Sequence, residues 1–513
     1  MNRFNLLTLF IAAIFSSCSS TRKAPSTDGK VAFNFIQIND VYEIAPLEGG
    51  KTGGMARVAY ISKKLKSDNP NSFLVMAGDF LSPSVYNSLK VDGQRVRGKQ
   101  MVEAMNAAET DIAIFGNHEF DIAENELQQR INEAAFTWVS SNAFHKKGNS
   151  QQAFAKTDRP VSEPLPPYFF RHINSVDGMQ VRVGFIGIVL PFNKANYVTY
   201  TDPLETAERL YNTIKDSCDL VVAITHQSME DDIRLAERLP NLALIMGGHE
   251  HDMRKQLVGN VWILKAHANA RTVFVTNVVY DRASKKVEVM PKLVEVGEKI
   301  PSDSITQLVV DKWNRISSEN FASIGFEASA VVLEKGEPLD GRESEVRSRS
   351  TNLTRLVVKA MEWAAPEADL AIVNSGSIRV DDILTAPVTQ YDFLRSLPFG
   401  GGLVEVEMKG ALLRRILTDG EENRGIGGFL QYSEKISGNS DKGWDINGLP
   451  VKDSVSYRVV LTDFLMTGGE ANLSYLTETN PLITKVFPMQ TALSDPRSDI
   501  RLAIIRYLDK NRN

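Results

Sequence analysis

Short apolar runs alternate with amphipathic stretches through the first half of the chain. The runs have the length and the β-branched composition of buried strands, and they cover residues 31–38, 73–77, 110–115, 181–189, 220–225 and 242–246. The stretches between them, such as 55–67 and 205–215, carry apolar residues at helical spacing. This alternation predicts an α/β layered domain.

The pattern changes after residue 296. Residues 302–317 are predicted to form one helix, whose apolar face carries Ile305, Leu308, Val309, Trp313 and Ile316. A chain of 513 residues is too long for a single core, so two or three domains are expected. We therefore predict a first domain over 31–297, a connector helix within 298–324 and a second domain over 325–513. A hinge rotation near 298–325 is expected to bring the two domains together.

The N-terminus has the composition of an export signal rather than of a folded segment. A positively charged start, Met1-Asn2-Arg3, precedes an apolar stretch at 6–15 that is too short to cross a bilayer. It ends in Phe15-Ser16-Ser17-Cys18, which resembles a bacterial lipobox. We expect 1–18 to be a lipoprotein-type signal peptide, 19–30 a tether, and Cys18 the site of a lipid anchor. An ordinary signal peptide cleaved nearby is the alternative. Both predict an exported protein of the cell envelope, and the lipoprotein would face the periplasm or the cell exterior.

Composition adds few further constraints. With 43% apolar and 24% charged residues the chain is globular, and a net charge of −5 gives no reason to expect a nucleic-acid partner. A small anionic substrate remains possible, because a local arginine cluster can override the global sign.

The histidines point to the chemistry. All seven lie between His118 and His267, and four of them fall in short polar blocks that follow apolar runs. Asp40 and Asp79 occupy similar settings. Because sites in such sheets form at the carboxyl ends of strands, one metal centre is expected to collect six side chains. These are Asp40, Asp79, Asn117, His226, His249 and His251.

Carboxylate oxygens together with imidazoles, with one carboxylate shared between two cations, form the donor set of a dinuclear site for phosphate chemistry. This series resembles the metallophosphatase family, and more closely its 5′-nucleotidase branch. The resemblance implies a four-layered α/β/β/α catalytic domain that is joined by a helix to an α+β C-terminal nucleotide-binding domain. It also implies two divalent cations, with Mn, Zn, Co and Mg as the candidates.

Carried over residue by residue, the resemblance makes Asp79 the bridge between the cations. Asp40 and His251 would hold the first cation, and Asn117, His226 and His249 the second. His118 would contact the scissile phosphate, with Asp121 orienting its imidazole. Asp121 also fits a carboxylate at a helix N-terminus, and the two roles can coexist.

One position departs from the family. The first block usually reads Asp-x-His, whereas this chain reads Asp40-Val41-Tyr42, and a neutral tyrosine is a poor ligand for magnesium or zinc. Glu43 or a water is expected to fill the place, so the first cation would bind more weakly or differ in identity. His267 is expected to be structural or to line a pocket, and His145 and His172 to lie at the surface.

The second half carries blocks similar to those of the same family. Asn374-Ser375-Gly376-Ser377-Ile378-Arg379 resembles Asn-Gly-Gly-Gly-x-Arg, and Arg347 precedes it in an arginine cluster. The resemblance implies that Phe399 and Phe464 sandwich a nucleobase and that Glu470, in place of the usual aspartate, binds ribose hydroxyls. Plain core packing is the alternative for both phenylalanines. The anion-binding residues would be Arg347, Asn374, Gly376 and Arg379.

These expectations describe a metal-dependent phosphohydrolase, a 5′-nucleotidase that converts nucleoside monophosphates to nucleoside and phosphate by attack of a metal-activated hydroxide. One alternative is a nucleotide-sugar or 2′,3′-cyclic-nucleotide phosphodiesterase on the same scaffold. The other is a non-catalytic nucleotide-binding lipoprotein. The expected partner is a small phosphate ester, and no protein partner is implied.

Overall fold

The computed structural model describes residues 29–175, 178–191 and 195–511. The predicted export signal, including Cys18, lies outside the described residues. Within those ranges no helix has both the length and the hydrophobicity needed to cross a membrane. The boundaries given above for the signal peptide, the tether, the two domains and the connector remain predictions.

Two six-stranded sheets form the N-terminal domain, and each has parallel strands at its centre. The first sheet has the order Lys286–Glu295, Thr272–Asp281, Lys30–Ile38, Ser72–Met76, Ile112–Ile114 and Thr137–Val139. The second has the order Tyr168–Asn174, Gln180–Val189, Leu220–His226, Leu244–Gly248, Val261–Lys265 and Arg254–Val258. All six predicted strands are present, each close to its predicted bounds.

The two sheets face each other across a core of β-branched and aromatic side chains, including Phe35, Phe185 and Val222. Helices cover the outer faces, which gives four layers. Met55–Asp68 and Lys99–Ala107 cover the first sheet, and Pro203–Ile214 and Met229–Arg238 cover the second. A sheet with an apolar face must bury that face, so the alternation read from the sequence produces this architecture.

The connector helix is present but its buried face differs from the predicted one. It covers Ser304–Ser323 and begins at Asp303, whose carboxylate accepts the backbone N–H of Thr306 at 2.9 Å. Trp313 is buried, whereas Ile305 and Leu308 are 60% and 70% exposed. The helix packs against Met55–Asp68 and Lys99–Ala107, so the buried face is set by those neighbours. Trp313 Nε1 donates to Glu103 at 2.8 Å, which fixes the rotation of the helix.

The C-terminal domain is built on a mixed five-stranded sheet with helices on both faces. Its order is Leu430–Tyr432, Leu370–Asn374, Ser456–Thr462, Leu403–Lys409 and Ile483–Val486. Alternate residues of the strand Leu370–Asn374 point to opposite faces. Ala371 and Val373 pack towards the helices Asn352–Ala364 and Ile500–Lys510, while Leu370 and Ile372 pack towards Gly410–Glu422.

The remaining elements are short and lie in the connections. The shorter helices are Glu124–Glu133, Glu343–Val346 and Gln390–Ser396. The short strands are Lys90–Val91, Gln94–Arg95, Ala143–Lys147, Ser150–Gln152, Ala155–Lys156, Glu163–Pro164, Val198–Tyr200, Val331–Leu333, Leu339–Asp340, Ile383–Leu384, Val388–Thr389, Ile436–Asn439, Gly443–Ile446 and Leu449–Pro450. One apolar cluster runs from the helical layer of the first domain into the second, so the domains share part of their core.

Candidate metal centre

Polar side chains converge where the parallel strands of the two sheets end. Asp40 follows the strand Lys30–Ile38, Asp79 follows Ser72–Met76, and Asn117 follows Ile112–Ile114. On the second sheet His226 is the last residue of its strand, and His249 comes directly after Leu244–Gly248. The prediction that these five residues lie at or just beyond the carboxyl ends of their strands agrees with the observed placement.

The backbone at this edge is held in an uncommon conformation. Asp40, Asp79, His249 and His251 have φ angles of 53°, 56°, 101° and 58°, in the left-handed region that side-chain-bearing residues rarely adopt. Such strain is retained where the surrounding structure enforces it and is common at functional sites. The turns direct these side chains into the space between the two sheets.

Three of the side chains form the centre of the group. One potential ligand atom each from Asp40, Asp79 and His226 lies within 4.8 Å of the others. His226 Nε2 is 3.0 Å from Asp79 Oδ2 and 3.8 Å from Asp40 Oδ1. Asp40 Oδ1 is buried and has no hydrogen-bond donor, and the contacts of the buried His226 Nε2 are with the two carboxylates themselves. Buried polar atoms are normally satisfied by hydrogen bonds, so carboxylate oxygens and an imidazole nitrogen that converge in this way fit a cation site.

Electrostatics leads to the same conclusion. Asp40 and Asp79 are 0% and 1% exposed, yet two adjacent buried carboxylates are costly without a nearby positive charge. Burial alone lowers the pKa of His226, but the charges of Asp79 and Asp40 outweigh it and raise that pKa to about 9. Burial, together with the charge of His226, lowers the pKa of His249 to about 4, which leaves a neutral imidazole. The negative charges of Asp40 and Asp79, which stabilise the protonated form of His226, would also stabilise a bound metal cation.

Hydrogen bonds from the surrounding backbone hold these ligands in place. His226 Nδ1 lies 2.8 Å from the carbonyl of Ala77, so Nε2 is directed at the carboxylates. Asp40 Oδ2 accepts from Asn39 Nδ2 at 2.7 Å and from the His249 N–H at 2.9 Å. A side chain at Gly248 would meet the Ala77 carbonyl at 2.6 Å, so this close approach requires glycine.

Glu119 is a structural residue of the site that the sequence analysis did not single out. Its fully buried carboxylate accepts the backbone N–H groups of Asp79, Phe80, Leu81 and Gly116 at 2.5 to 3.0 Å. Burial and the charge of Asp79 raise its pKa to about 7. It joins the loops that carry Asp79 and Asn117. Its position inside the block Gly116 to Asp121 was the only available signal.

His251 and Asn117 complete the predicted set. His251 Nε2 lies 3.5 Å from Asp40 Oδ1, and its Nδ1 lies 2.6 Å from Asp381 of the C-terminal domain. Asn117 is buried, and the next residue donates its backbone N–H to Asp79 Oδ1 at 2.8 Å. These contacts place His251 and Asn117 beside Asp40 and Asp79, and the binding of metal by all six residues stays a prediction.

Tyr42, rather than Glu43, faces the centre. The Tyr42 hydroxyl lies 2.9 Å from His251 Nε2 and 3.3 Å from Asp79 Oδ2. Burial and the charge of Asp79 hold its pKa well above the ordinary value, so the phenol keeps its proton. The carboxylate of Glu43 instead accepts a hydrogen bond from Tyr391 of the C-terminal domain. Of the two expected replacements for the missing histidine, Glu43 is therefore wrong, and a water stays a prediction.

His118 and Asp121 form a pair beside the centre. His118 Nδ1 is 2.6 Å from Asp121 Oδ2, and both lie in the short turn His118–Asp121. Burial lowers the pKa of His118, but Asp79 and Asp121 together raise it above its ordinary value. Arg379 reaches across from the C-terminal domain, with Nη2 3.7 Å from Asp121 Oδ2 and 3.5 Å from His118 Nδ1.

The other histidines differ in their environments. His172 is exposed, as predicted, and His267 is half-buried beside Thr272 at 3.1 Å. The prediction that His145 lies at the surface is wrong. It is 6% exposed, stacks on Phe154 at 5.1 Å between centroids and pairs with Glu124 at 2.6 Å. His145 therefore contacts the first residue of the helix Glu124–Glu133, a neighbour that the local sequence did not reveal.

The two predicted stacking residues lie at one end of two neighbouring strands of the C-terminal sheet. Leu403 pairs with Thr462, so Phe399 before one strand and Phe464 after the other are brought to the same end. The loops are joined by the N–H of Gly402, which donates to Asp463 Oδ2 at 3.1 Å. Phe399 is 66% exposed and Phe464 is 43% exposed, so neither ring is part of the core.

The other predicted substrate residues gather around the strand Leu370–Asn374. Asn374 Nδ2 donates to Glu470 Oε2 at 2.5 Å, and Gly376 N donates to the Gly427 carbonyl at 2.7 Å. A side chain at Gly376 would meet the backbone of Gly427 at 3.1 Å. The Arg347 carbonyl accepts the N–H of Gly425 from the same glycine-rich segment, at 2.8 Å.

A cleft of about 780 Å³ opens between the domains beside the metal centre. Its lining includes His249 and His251 from one side and Arg342, Arg347 and Asp381 from the other. A second cleft of about 420 Å³ lies between Phe399 and the segment that carries Ser84, Arg95 and Arg97. Both domains therefore line the space next to the ligands, as a site for a bound small molecule requires.

Comparisons with known proteins identify both halves of the chain. Residues 33–253 match the calcineurin-like phosphoesterase family, and residues 329–477 match the family of the 5′-nucleotidase C-terminal domain. The chain is 21% identical to the human 5′-nucleotidase over 471 residues, which cover 82% of this chain and 78% of that protein.

Two further similarities are informative. The endonuclease YhcR of Bacillus subtilis (strain 168) is 26% identical over 474 residues; the match covers 85% of this chain but only 36% of YhcR, about a third of its length. The crystal structure of a 5′-nucleotidase precursor from Thermus thermophilus has a TM-score of 0.67 at 22% identity. That alignment covers 94% of this chain and 96% of the other, so the two-domain architecture is the same.

The position of Tyr42 leads to a prediction about metal affinity. Tyr42→His would place an imidazole between Asp79 and His251. We expect one cation to bind roughly tenfold or more tightly, because even residues that only orient a metal ligand change metal affinity by 10- to 100-fold. Calorimetric titration of metal-free protein with MnCl₂ measures this. Tyr42→Phe, which removes the hydroxyl without adding a ligand, is the matched control. Equal Mn²⁺ affinities for the two variants would contradict the placement of residue 42 beside the cation.

Proposed function

The chain belongs to the 5′-nucleotidase family, in which a metallophosphatase domain precedes a C-terminal nucleotidase domain, and we propose that it hydrolyses nucleoside monophosphates to nucleoside and phosphate. It is a metal-dependent phosphoric monoester hydrolase that uses two divalent cations. The observation that carries the substrate proposal is the position of Arg379. This residue of the second domain lies against the His118–Asp121 pair, beside the converging ligands of the first.

We propose that Asp79 is shared between the cations, with Asp40 and His251 on one and Asn117, His226 and His249 on the other. The buried carboxylates supply the negative charge, and the fixed orientation of His226 supplies a neutral nitrogen once the proton is displaced. When bound, such a pair of cations lowers the pKa of a water and neutralises charge on phosphoryl oxygens.

His118 is proposed to act on the phosphate ester itself. Asp121 engages Nδ1, so Nε2 is the ring atom that is available to a substrate. From there the imidazole can stabilise charge on the phosphoryl oxygens or donate a proton to the leaving oxygen. The guanidinium of Arg379 approaches from the opposite domain and would hold the phosphate by paired hydrogen bonds. The presence of both His118 and Asp121 also argues against a protein that binds nucleotides without hydrolysing them.

The nucleoside is proposed to lie at the ends of the strands of the C-terminal sheet that Phe399 precedes and Phe464 follows. Exposed rings at Phe399 and Phe464, held on adjoining loops, are suited to stacking on a base. Glu470 would accept hydrogen bonds from ribose hydroxyls. Its present bond to Asn374 keeps the carboxylate at the start of the glycine-bearing turn, and Arg347 lies on the neighbouring segment.

A phosphodiesterase activity on nucleotide sugars or 2′,3′-cyclic nucleotides is the second candidate. The specific observation in its favour is the match over 85% of this chain to YhcR, which is named an endonuclease. Because that match covers about a third of YhcR, its activity is not transferred as a whole. A panel of substrates separates the two candidates.

Export with a lipid anchor on Cys18 is also proposed. The charged start, the short apolar stretch and the Ser-Ser-Cys ending support it. The names of related proteins include a snake venom 5′-nucleotidase and a 5′-nucleotidase precursor, and both names agree with export. The anchor would place the catalytic domains outside the cytoplasm at the membrane surface.

The activity is tested with AMP, UDP-glucose and 2′,3′-cyclic AMP in parallel, with MnCl₂ or CoCl₂ present. We expect AMP to be the preferred substrate, chelation to abolish turnover, and His118→Ala to lower kcat by roughly 10²- to 10⁴-fold because an acid–base group is lost. His172→Ala, an exposed histidine far from the site, is the control. Preference for a diester would favour the second candidate, and turnover unaffected by His118→Ala would refute the assigned role.

The stacking role of the phenylalanines is tested separately. Phe399→Ala and Phe464→Ala should each weaken AMP binding by about 1 to 3 kcal/mol, the contribution of one base–aromatic contact, and raise KM accordingly. Ribose 5-phosphate, which has no base, serves as the matched substrate and should be hydrolysed at an unchanged rate. If the rate of hydrolysis falls by the same factor for AMP and for ribose 5-phosphate, the rings have a role in folding rather than in base recognition.

Lipidation predicts that the full chain, expressed in a bacterial host, incorporates labelled palmitate and sediments with membranes. Cys18→Ser should remove the label and release the protein. An unlabelled wild-type protein in the soluble exported fraction would instead indicate an ordinary signal peptide. Radioactivity of the protein in the membrane and soluble fractions measures the lipid modification.

A further inference from the structure

A loop of the C-terminal domain reaches into the metal centre of the first domain. Asp381 Oδ2 lies 2.6 Å from Nδ1 of His251, and both side chains are mostly buried, at 25% and 17% exposed. We propose that Asp381 is a positioning residue for the cation held by His251, and that this contact makes the affinity for one of the two cations depend on domain closure. The proposal rests on the metal centre of the proposed function but not on its substrate.

The contact determines which ring nitrogen faces the centre. With Nδ1–H donating to a carboxylate, the lone pair of a neutral imidazole resides on Nε2. In this structure His251 Nε2 is directed at Asp40 Oδ1, 3.5 Å away, and at the Tyr42 hydroxyl, 2.9 Å away. Without Asp381 the ring would lose this restraint and populate other rotations and the other tautomer. A ligand that must be reoriented before it binds gives a weaker site.

The neighbouring ligands obtain their orienting contacts from the first domain itself. The backbone of Ala77 fixes His226, Asn39 and the backbone of His249 fix Asp40, and the backbone of His118 fixes Asp79. His251 follows a pair of glycines and has a left-handed φ of 58°. Its orienting carboxylate belongs to the other domain. This division suggests that one cation site is preformed and the other is completed by closure.

The loop that carries Asp381 is itself held firmly. The Asp381 carboxylate accepts the backbone N–H of Glu343, and its φ of 38° places it in a left-handed turn. The next residue, Asp382, accepts from Arg395 of its own domain at 3.2 Å and from Arg271 of the first domain at 2.8 Å. Asp381 is therefore presented to His251 by a rigid segment, and the Arg271–Asp382 pair is a second contact across the same interface.

Two sites coupled in this way influence each other reciprocally. If closure orients His251 and so strengthens cation binding, cation binding must favour closure by the same free energy. An open molecule would then hold one cation firmly and the second loosely. The contact also explains how a first block without its usual histidine can still retain a cation: the remaining imidazole is held in a binding orientation from outside the domain.

The test is calorimetric titration of the full chain, stripped of metal by chelation, with MnCl₂. We expect Asp381→Asn and Asp381→Ala to weaken one of the two binding events by roughly 10- to 100-fold, as for other partners of metal-bound histidines, and to leave the other nearly unchanged. Asp381→Asn preserves the shape of the side chain, so it remains informative if the alanine variant folds poorly. Thermal unfolding of each metal-free variant verifies folding.

Two further variants serve as controls. Glu124→Gln breaks a carboxylate–histidine pair of the same 2.6 Å length, with His145, which is not among the proposed metal ligands, and should change neither binding event. Arg271→Ala removes a different contact between the domains, the one with Asp382, without touching His251. It should weaken the same event by roughly twofold to fivefold, the size of a partly exposed ion pair.

The outcomes are distinct. Unchanged Mn²⁺ binding in both Asp381 variants, or equal weakening of both events, overturns the positioning role. An effect of Asp381→Asn without any effect of Arg271→Ala overturns the dependence on domain closure. If the wild-type protein itself binds no Mn²⁺, the metal centre of the proposed function fails, and this failure is recognisable without any variant.

Discussion

Two carboxylates buried side by side determine the rest of this structure. Asp40 and Asp79 sit where the first sheet ends and the second faces it, with almost no solvent exposure. Their charge must be compensated, because a buried anion without a partner is strongly unfavourable. The imidazoles, the left-handed turns and the carboxylate of Glu119 are all arranged around them. A cation pair is the compensation that uses the unsatisfied donor atoms.

The second domain has a direct role at this centre. Arg379 lies against His118 and Asp121, and Asp381 lies against His251, so one short loop contacts both the proposed acid–base pair and a proposed metal ligand. The exposed phenylalanines are located at the end of the same domain's sheet. In the proposed function, phosphate chemistry and base recognition belong to different domains, so the relative position of the domains decides whether the site is complete.

Much of the site could be predicted because it follows from local rules. Residues at the ends of parallel strands share an edge, so Asp40, Asp79, Asn117, His226 and His249 were expected to meet. Contacts between distant elements could not be predicted in this way. The buried setting of His145, the exposure of Leu308 and the choice of Tyr42 over Glu43 each depend on which neighbour packs against the residue. A single sequence contains no record of those neighbours, and the same holds for Asp381.

We propose that these side chains hold two cations with Asp79 between them. Crystals grown with manganese, measured on both sides of the manganese absorption edge, would locate the cations. We expect two anomalous peaks roughly 3.5 to 4 Å apart, the separation of two-metal phosphatase sites, one on each side of Asp79. A single peak away from Asp79, or none in a protein that is folded and manganese-saturated, would contradict it.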